Sequence, residues 1–373
     1  MSSVRAIAKS LELSAATVSR VLNNRPDVDE DTRRRVLDMV NQVGYFPKVG
    51  ARQTDVIGLA YPDEPVQTEY GSFEPALQSG IMRGLDERQY DLKFVSIRRD
   101  KSHDETFTQL FMRKGLRGVI LRCFRNDHAM IQRIARERFP MVVVAEHFDD
   151  PLVNYVRSDS YESSRRAVEH LISLGHRRIA LAIHNVADSD HSDRRRAYAD
   201  ALHVAGIAVD QRIIFESPAS FSAGERVVDG ILAMPQRPTA VFATNPMTAL
   251  GIMRRSQQIG LVIPRDLSLV GMDDSDVRAH VWPRMTAVCQ DASALGYEAA
   301  CWLMHSLSTN GLRQQPLRKM LPTTFEVNGT TAPPLSTTVG VENAEVEVPL
   351  AKKRAAGERR TEEGRKPSKR TKP

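Results

Sequence analysis

The run Ser14-Ala-Ala-Thr-Val-Ser-Arg-Val-Leu-Asn-Asn24 places a guanidinium, several hydroxyls and amides on one short stretch. An arginine on a helix lying in a DNA major groove can fork onto guanine O6 and N7. Arg20 is therefore the expected base reader. Thr17, Ser19 and Asn23 offer groups suited to phosphate oxygens, which position a helix without reading sequence. Catalytic signatures are missing: there is no G-x-G-x-x-G after the first apolar strand, no G-x-x-x-x-G-K-[ST] and no G-x-S-x-G. The three cysteines, Cys123, Cys289 and Cys301, lack C-x-x-C spacing, and His170 and His176 have no second ligand at suitable spacing. Neither a metal site, a disulfide framework nor a cofactor is expected, and the chain does not read as an enzyme.

These side chains need helices to carry them. Val4, Ile7, Ala8 and Leu11 recur at helical spacing, with Ser3 placed to cap their start. A tight break at Glu12-Leu13-Ser14 follows, and Ser14 can cap a second helix over 15–23. Its Val18, Val21 and Leu22 face inward, leaving Ala15, Ala16, Thr17, Ser19 and Arg20 outside. A third helix is signalled by Asp29 as cap, Glu30 and Asp31 in its first turn, the apolar Val36, Met39, Val40 and Val43, and Gly44 as terminator. The first two form a helix-turn-helix candidate.

From residue 56 the texture changes. Short apolar runs at 56–60, 92–96, 118–121, 141–145, 179–183, 240–243 and 267–271 alternate with helical stretches such as 73–87, 160–174 and 193–205. Continuous apolar strands separated by helices imply parallel sheets covered on both faces. Their number implies two doubly wound lobes, with a ligand cleft at the carboxyl ends of the strands.

The 14–24 string, then Thr32-Arg33, Gly44-Tyr45-Phe46-Pro47 and Ala51-Arg52, closely resembles the headpiece of the LacI/GalR family of bacterial transcription regulators. The resemblance extends over the body through Phe73-x6-Gly80-Ile81, Val168-Glu-His-Leu-Ile-x2-Leu-Gly-His-Arg-Arg-Ile179, Arg194-x3-Tyr198, Ala249-Leu-Gly251, Ile263-Pro-Arg-Asp-Leu-Ser-Leu-Val-Gly-Met-Asp-Asp274 and Pro283-x2-Thr286. It implies a fold of an all-α helix-turn-helix headpiece plus an α/β two-lobed body like a periplasmic binding protein. The DNA-contacting set it implies is Ser14, Ala15, Ala16, Thr17, Ser19, Arg20, Asn23, Arg33, Lys48, Ala51 and Arg52. Ala15 and Ala16 occupy positions where family members commonly carry specificity-determining side chains. Glu12 stands where the family usually has glycine. In the family a hinge leucine wedges into the minor groove; here Thr54 takes that position, which implies a weaker DNA bend.

For the effector cleft, the resemblance implies Arg194 as clamp, Asp273 as hydroxyl-binding carboxylate, Asn245 beside them, and Phe73 and Phe221 as aromatic walls. Each has an ordinary alternative: Arg194 on a solvated face, Asp273 capping a turn, either phenylalanine in the core. The structural role of a helix-end residue is preferred for His170 and His176.

Charge divides the chain in the same places. The net +6 conceals a +3 segment at 1–52, a −4 segment at 53–350 and a +7 segment at 351–373. The expected organisation is a headpiece over 1–46, a hinge over 47–55, a two-lobed effector-binding and dimerisation domain over 56–328 with lobe crossings near 157, 285 and 322, and a disordered basic tail over 329–373. No apolar run spans a bilayer and the start lacks a signal-peptide pattern, so a cytoplasmic location without membrane association is expected. Together these features predict a homodimeric, sequence-specific repressor that binds a pseudo-palindromic double-stranded operator and answers to a small molecule, first of all a sugar. Activation, control by a protein partner, or a cytoplasmic sugar-binding protein with a vestigial headpiece are the competing readings.

Overall fold

The computed structural model describes residues 3–23, 25, 27–43, 45, 56–63, 71–309 and 316–335. Three helices, α1 (Val4–Ser10), α2 (Ala15–Leu22) and α3 (Glu30–Gln42), open the chain. Short polar side chains set their starts. Ser3 accepts from the Ala6 N–H at 3.1 Å, Ser14 from the Thr17 N–H at 2.9 Å and Asp29 from the Thr32 N–H at 2.9 Å, each satisfying a donor that a helix start leaves open. Between α1 and α2 the chain turns through Glu12 at φ +56°, a left-handed conformation that favours glycine. Ile7, Ala8, Val18, Val21, Val36 and Val40 are buried, but Val43 is exposed because α3 ends one residue before it.

Strands β1 (Val56–Tyr61), β2 (Asp91–Ser96), β3 (Gly118–Arg122), β4 (Met141–Val144) and β5 (Tyr155–Asp159) build a first lobe, with helices α4 (Phe73–Asp86), α5 (Ile97–Asp100), α6 (Phe107–Arg113) and α7 (His128–Arg136). A second lobe takes β6 (Ile179–His184), β7 (Ile214–Ser217), β8 (Ala240–Ala243), β9 (Ser268–Asp273) and β10 (Thr286–Cys289), with α8 (Tyr161–Ser173), α9 (Ser189–Val204), α10 (Phe221–Leu232) and α11 (Pro246–Gln258). Helix α12 (Ala292–Ser308) returns to the first lobe and packs along α4. That approach requires Gly80, where an added Cβ would lie 1.8 Å from the Ser293 carbonyl oxygen. The final segment serves both lobes: β11 (Arg318–Pro322) pairs in parallel with β5, and β12 (Thr324–Glu326) pairs antiparallel with β10. The sheet orders are β11-β5-β4-β3-β1-β2 and β12-β10-β9-β8-β6-β7. All other pairs are parallel.

Two expected boundaries move. The middle lobe crossing lies at 290–291, not near 285, because Thr286–Cys289 is itself a strand of the second sheet. The first crossing falls at Ser160, after β5, and the third at Thr323, between β11 and β12. Residues 329–335, expected as the start of a disordered tail, are instead built into the second lobe, and 336–373 lie outside the described residues. Thr330 is fully buried; its hydroxyl accepts from the Thr286 N–H at 2.8 Å and donates to the Leu269 carbonyl at 2.7 Å. His176 is buried between Thr239 and the Ala332 carbonyl, and His170 meets Thr331, so both histidines hold this segment. The charged residues of 351–373 lie outside the described residues. No helix among the described residues is long and apolar enough to cross a membrane.

Candidate functional site: a helical DNA-reading face and an inter-lobe cleft

Helix α2 turns Val18 and Val21 into the headpiece and leaves Ala15, Ala16, Ser19 and Arg20 exposed along one side. Its polar groups are already ordered. The Ser14 and Thr17 hydroxyls lie 2.8 Å apart, and the Asn23 amide donates to the Ser19 carbonyl at 2.8 Å. Arg20 is exposed and sits 3.6 Å from Asp27. An exposed ion pair of this kind holds its partners weakly, so the guanidinium is free to turn to a base edge. Arg33 differs from expectation. It is only 7% exposed and donates to the Arg25 carbonyl at 2.7 Å, bracing the turn between α2 and α3 where a phosphate contact was expected. Lys48, Ala51, Arg52 and Thr54 lie outside the described residues.

The second site forms where carboxyl ends of strands from both sheets converge. Its lining includes Phe73 and Glu74 from α4, Arg122 at the end of β3, His184 at the end of β6, Thr244 and Asn245 after β8, Asp274 after β9 and Gln290 after β10. Helix α9 and the loop before it contribute Asp188, Asp190, His191 and Arg194. Arg194 is buried and donates to the Thr244 carbonyl at 3.1 Å and to Gln290 Oε1 at 3.0 Å. Gln290 Nε2 donates in turn to Asp274 at 2.5 Å. Asn245 caps α11 by accepting from the Met247 N–H at 2.8 Å. In the first lobe, Arg122 donates to Glu74 at 3.1 Å and lies against the Phe73 and Phe124 rings.

Other links join the two lobes outside this lining. Buried Glu146 accepts from the Ser189 hydroxyl and from its N–H at 3.1 Å, and Arg157 pairs with Asp193 at 2.8 Å. The lobes therefore meet over a narrow, largely desolvated space, and ionisation there is displaced. Burial pushes Asp190 up to about 7, with Asp188 adding to it and Arg194 opposing. Burial would also raise Asp188, but His191 outweighs it and holds that carboxyl below the ordinary range. His184 is pulled down to about 4 by burial and by His191. Burial raises Asp274.

Phe73, Arg194 and Asn245 are thus brought together, while two expected members are elsewhere. Asp273 does not enter this cleft: it accepts from the Val277 N–H at 3.0 Å and from Arg278 at 2.7 Å, securing the loop after β9. Its neighbour Asp274 takes the cleft position, because successive side chains at a strand end point to opposite faces. Phe221 sits at the start of α10 under Arg254, among Met253, Val281 and Trp282 on an outer surface; Phe124 lines the cleft instead. Gln290, Asp188, Asp190 and Arg122 were missed. Their only prior signal was position, each lying at or just beyond a strand end or in the first turn of a helix.

Comparison with known proteins gives two family matches: "Bacterial regulatory proteins, lacI family" over residues 3–48 and "Periplasmic binding protein-like domain" over 168–331. Among relatives, the HTH-type transcriptional regulator DegA of Bacillus subtilis is 27% identical over 337 residues, covering 88% of this chain and 97% of that protein. The ribose operon repressor of Haemophilus influenzae is 29% identical, covering 79% and 89%. A LacI family transcriptional regulator from Enterococcus faecium, solved with bound ribose, superposes with a TM-score of 0.63 at 25% identity, covering 74% of this chain and 99% of that one.

Proposed function

This chain belongs to the LacI family of bacterial regulatory proteins, which are DNA-binding transcriptional regulators and not enzymes, and on that basis we propose that it is a repressor whose operator affinity is set by a sugar held between its lobes. The observation that carries the effector half is the chain Arg194–Gln290–Asp274, which joins α9 to the crossing at 290–291 inside a cleft lined by charged and amide side chains and walled by Phe73. Guanidinium, amide and carboxylate groups in fixed positions suit the paired hydroxyls of a sugar. The ribose-linked relatives support that class.

For the DNA half, headpiece 1–46 presents α2 to the major groove and hinge 47–55 connects it to the body. Arg20 reads a guanine; Ser14, Thr17, Ser19 and Asn23 fix the helix on the backbone, with Lys48 and Arg52 as further phosphate contacts. Two headpieces engage the half-sites of a pseudo-palindrome when the chain is a homodimer. The apolar patch of Trp282, which is 92% exposed, with Val281, Phe221 and Met253 is a suitable part of that dimer surface. The repressor acts on cytoplasmic DNA, and a sugar that closes the cleft resets the headpiece spacing.

The test separates the halves. Selection of bound sequences from a random duplex pool should return a two-fold-related site. Arg20→Ala should flatten selectivity at one base pair per half-site, costing about 1–3 kcal/mol there, and leave sugar binding intact. Arg194→Ala should remove sugar response and keep operator selectivity. If both variants lost only DNA binding, the two-site reading would be wrong.

A further inference from the structure

The charge of the cleft narrows the effector. Four carboxylates line it, Glu74, Asp188, Asp190 and Asp274, against two guanidiniums, Arg122 and Arg194. Carboxyl groups therefore outnumber guanidiniums by two in this lining. Most of these groups are committed. Glu74 accepts from the Tyr61 hydroxyl at 2.8 Å and from Arg122 at 3.1 Å; Asp188 accepts from the His191 N–H at 2.7 Å and lies 2.9 Å from its Nδ1; Asp274 accepts from Gln290. Arg122 also donates to the Cys123 carbonyl, and Arg194 to the Thr244 carbonyl and Gln290.

Asp190 is the exception. It is buried at the first turn of α9, its Oδ1 has no hydrogen-bond partner among the described residues, and its other oxygen stands 3.8 Å from Arg194. Two more buried atoms of the same lining, Arg194 Nε and Thr244 Oγ1, also lack hydrogen-bond partners among the described residues. Buried polar atoms without partners are rare unless something else supplies the bond. An anionic sugar would bring a further negative group to a site where carboxyl groups already outnumber guanidiniums, and a neutral one would leave Asp190 to be neutralised by a proton in place of a ligand cation.

We propose that the effector is a sugar or related polyol bearing a cationic nitrogen, with its ammonium group on Asp190 Oδ1. The inference rests on the effector reading above and narrows its chemical class. The same preponderance of carboxyl groups disfavours phosphorylated sugars and sugar acids.

A linked proton follows. Asp190 holds a proton near neutrality because burial and Asp188 oppose its ionisation, while Arg194, Arg157 and Arg122 favour it. His191 and His184 complete the titratable groups lining that part of the cleft. An arriving ammonium stabilises the carboxylate, so binding releases the proton, and affinity climbs as pH rises through about 7 until the amine itself loses its charge.

The test uses the full chain and stereochemically matched sets: glucosamine, glucose, N-acetylglucosamine and glucuronate, with the galacto and manno series alongside. Melting shifts rank the sets, and titration calorimetry in two buffers of different ionisation enthalpy counts protons. At least one amine should bind about tenfold or more tighter than its neutral and acetylated partners, with proton release, and the acids should not bind. In Asp190→Asn the amine preference should shrink to within about threefold. The ranking and proton count in the wild type need no variant, so a poorly folding Asp190→Asn leaves the test intact. A neutral sugar or acid binding as tightly as its amine overturns the amine proposal and leaves the sugar-effector reading standing. Failure of every member to shift the melt overturns both.

Discussion

Gln290→Leu should uncouple the cleft from the lobe crossing. Gln290 is 8% exposed and immediately follows β10. Its backbone N–H donates to the Asp273 carbonyl at 2.9 Å, a bond that leucine keeps. Leucine loses the side-chain bonds, Arg194 to Oε1 at 3.0 Å and Nε2 to Asp274 at 2.5 Å. Hydrogen bonds to charged groups contribute about 1.5–3 kcal/mol each, so the loss is on the order of 3–6 kcal/mol. At roughly 2–4 °C per kcal/mol for a body of this size, the melt should fall by about 6 °C or more, and effector affinity should fall with it. Scanning calorimetry and a sugar titration read both. A melt within about 1 °C of wild type would refute the bridge, since loss of both bonds should lower it by about 6 °C at the least. Gln290→Glu adds a signed check. A new carboxylate faces Asp274, whose pKa burial already raises, and the pair retains a proton in the fold. Groups raised on folding contribute stability below their unfolded pKa and lose it as pH rises, so this variant should be less impaired in acid than above neutrality.

Glu12→Gly should relieve the left-handed turn at φ +56° and stabilise the headpiece by about 0.5–1 kcal/mol net of unfolded-state entropy; amide exchange of α1 and α2 should slow in the full chain. Arg33→Ala should cost the headpiece about 1–2 kcal/mol by orphaning the Arg25 carbonyl, yet leave the salt slope of operator binding unchanged, whereas loss of a phosphate contact would lower that slope by about one. Asp190→Asn removes a carboxyl held near 7 in the fold against a usual 3.8. Wild-type stability should therefore fall as pH rises across that window and the variant's should not, so the variant's melt advantage should grow from pH about 5 to 8; an equal difference at both ends would contradict the assignment. With Thr54 at the hinge position, gel-mobility phasing should show a smaller operator bend than leucine-bearing relatives give, and an equal kink would remove the wedge argument.

The headpiece was legible because its signals are local. Ser3, Ser14 and Asp29 cap within three residues of themselves, and the apolar stripes need only helical periodicity. The strands β1, β3, β4 and β8 were legible for a related reason: buried on both faces, they are continuous apolar runs. The missed strands are the mixed ones. Ile214–Ser217 is an edge strand with an exposed Glu216, and Tyr155–Asp159 carries Arg157 into a salt bridge with α9. Thr286–Cys289 was hidden by its own shortness and by being read as a crossing, which also hid Gln290, because a residue has no recognisable strand end until its strand is known.

The exchange of Asp273 for Asp274 shows what pattern reading lacked. Along β9, Leu269 packs with the cluster containing α10 and α11 residues, whereas Val270 and Met272 pack with Tyr198, Ala201 and Leu202 of α9. Side chains alternate, so Asp274 shares the face of Val270 and Met272 and lies on the side from which α9 delivers Arg194 and Asp190. Asp273 shares the face of Leu269 and meets Arg278. The two carboxylates are chemically identical and adjacent, and only strand parity with the known position of one helix separates them. The same parity joins effector chemistry to geometry: Asp274, Gln290 and Arg194 come from β9, β10 and α9, so a ligand engaging them bears on the crossing at 290–291 directly. Relative motion of the lobes then follows from how tightly that trio is held, without a longer relay.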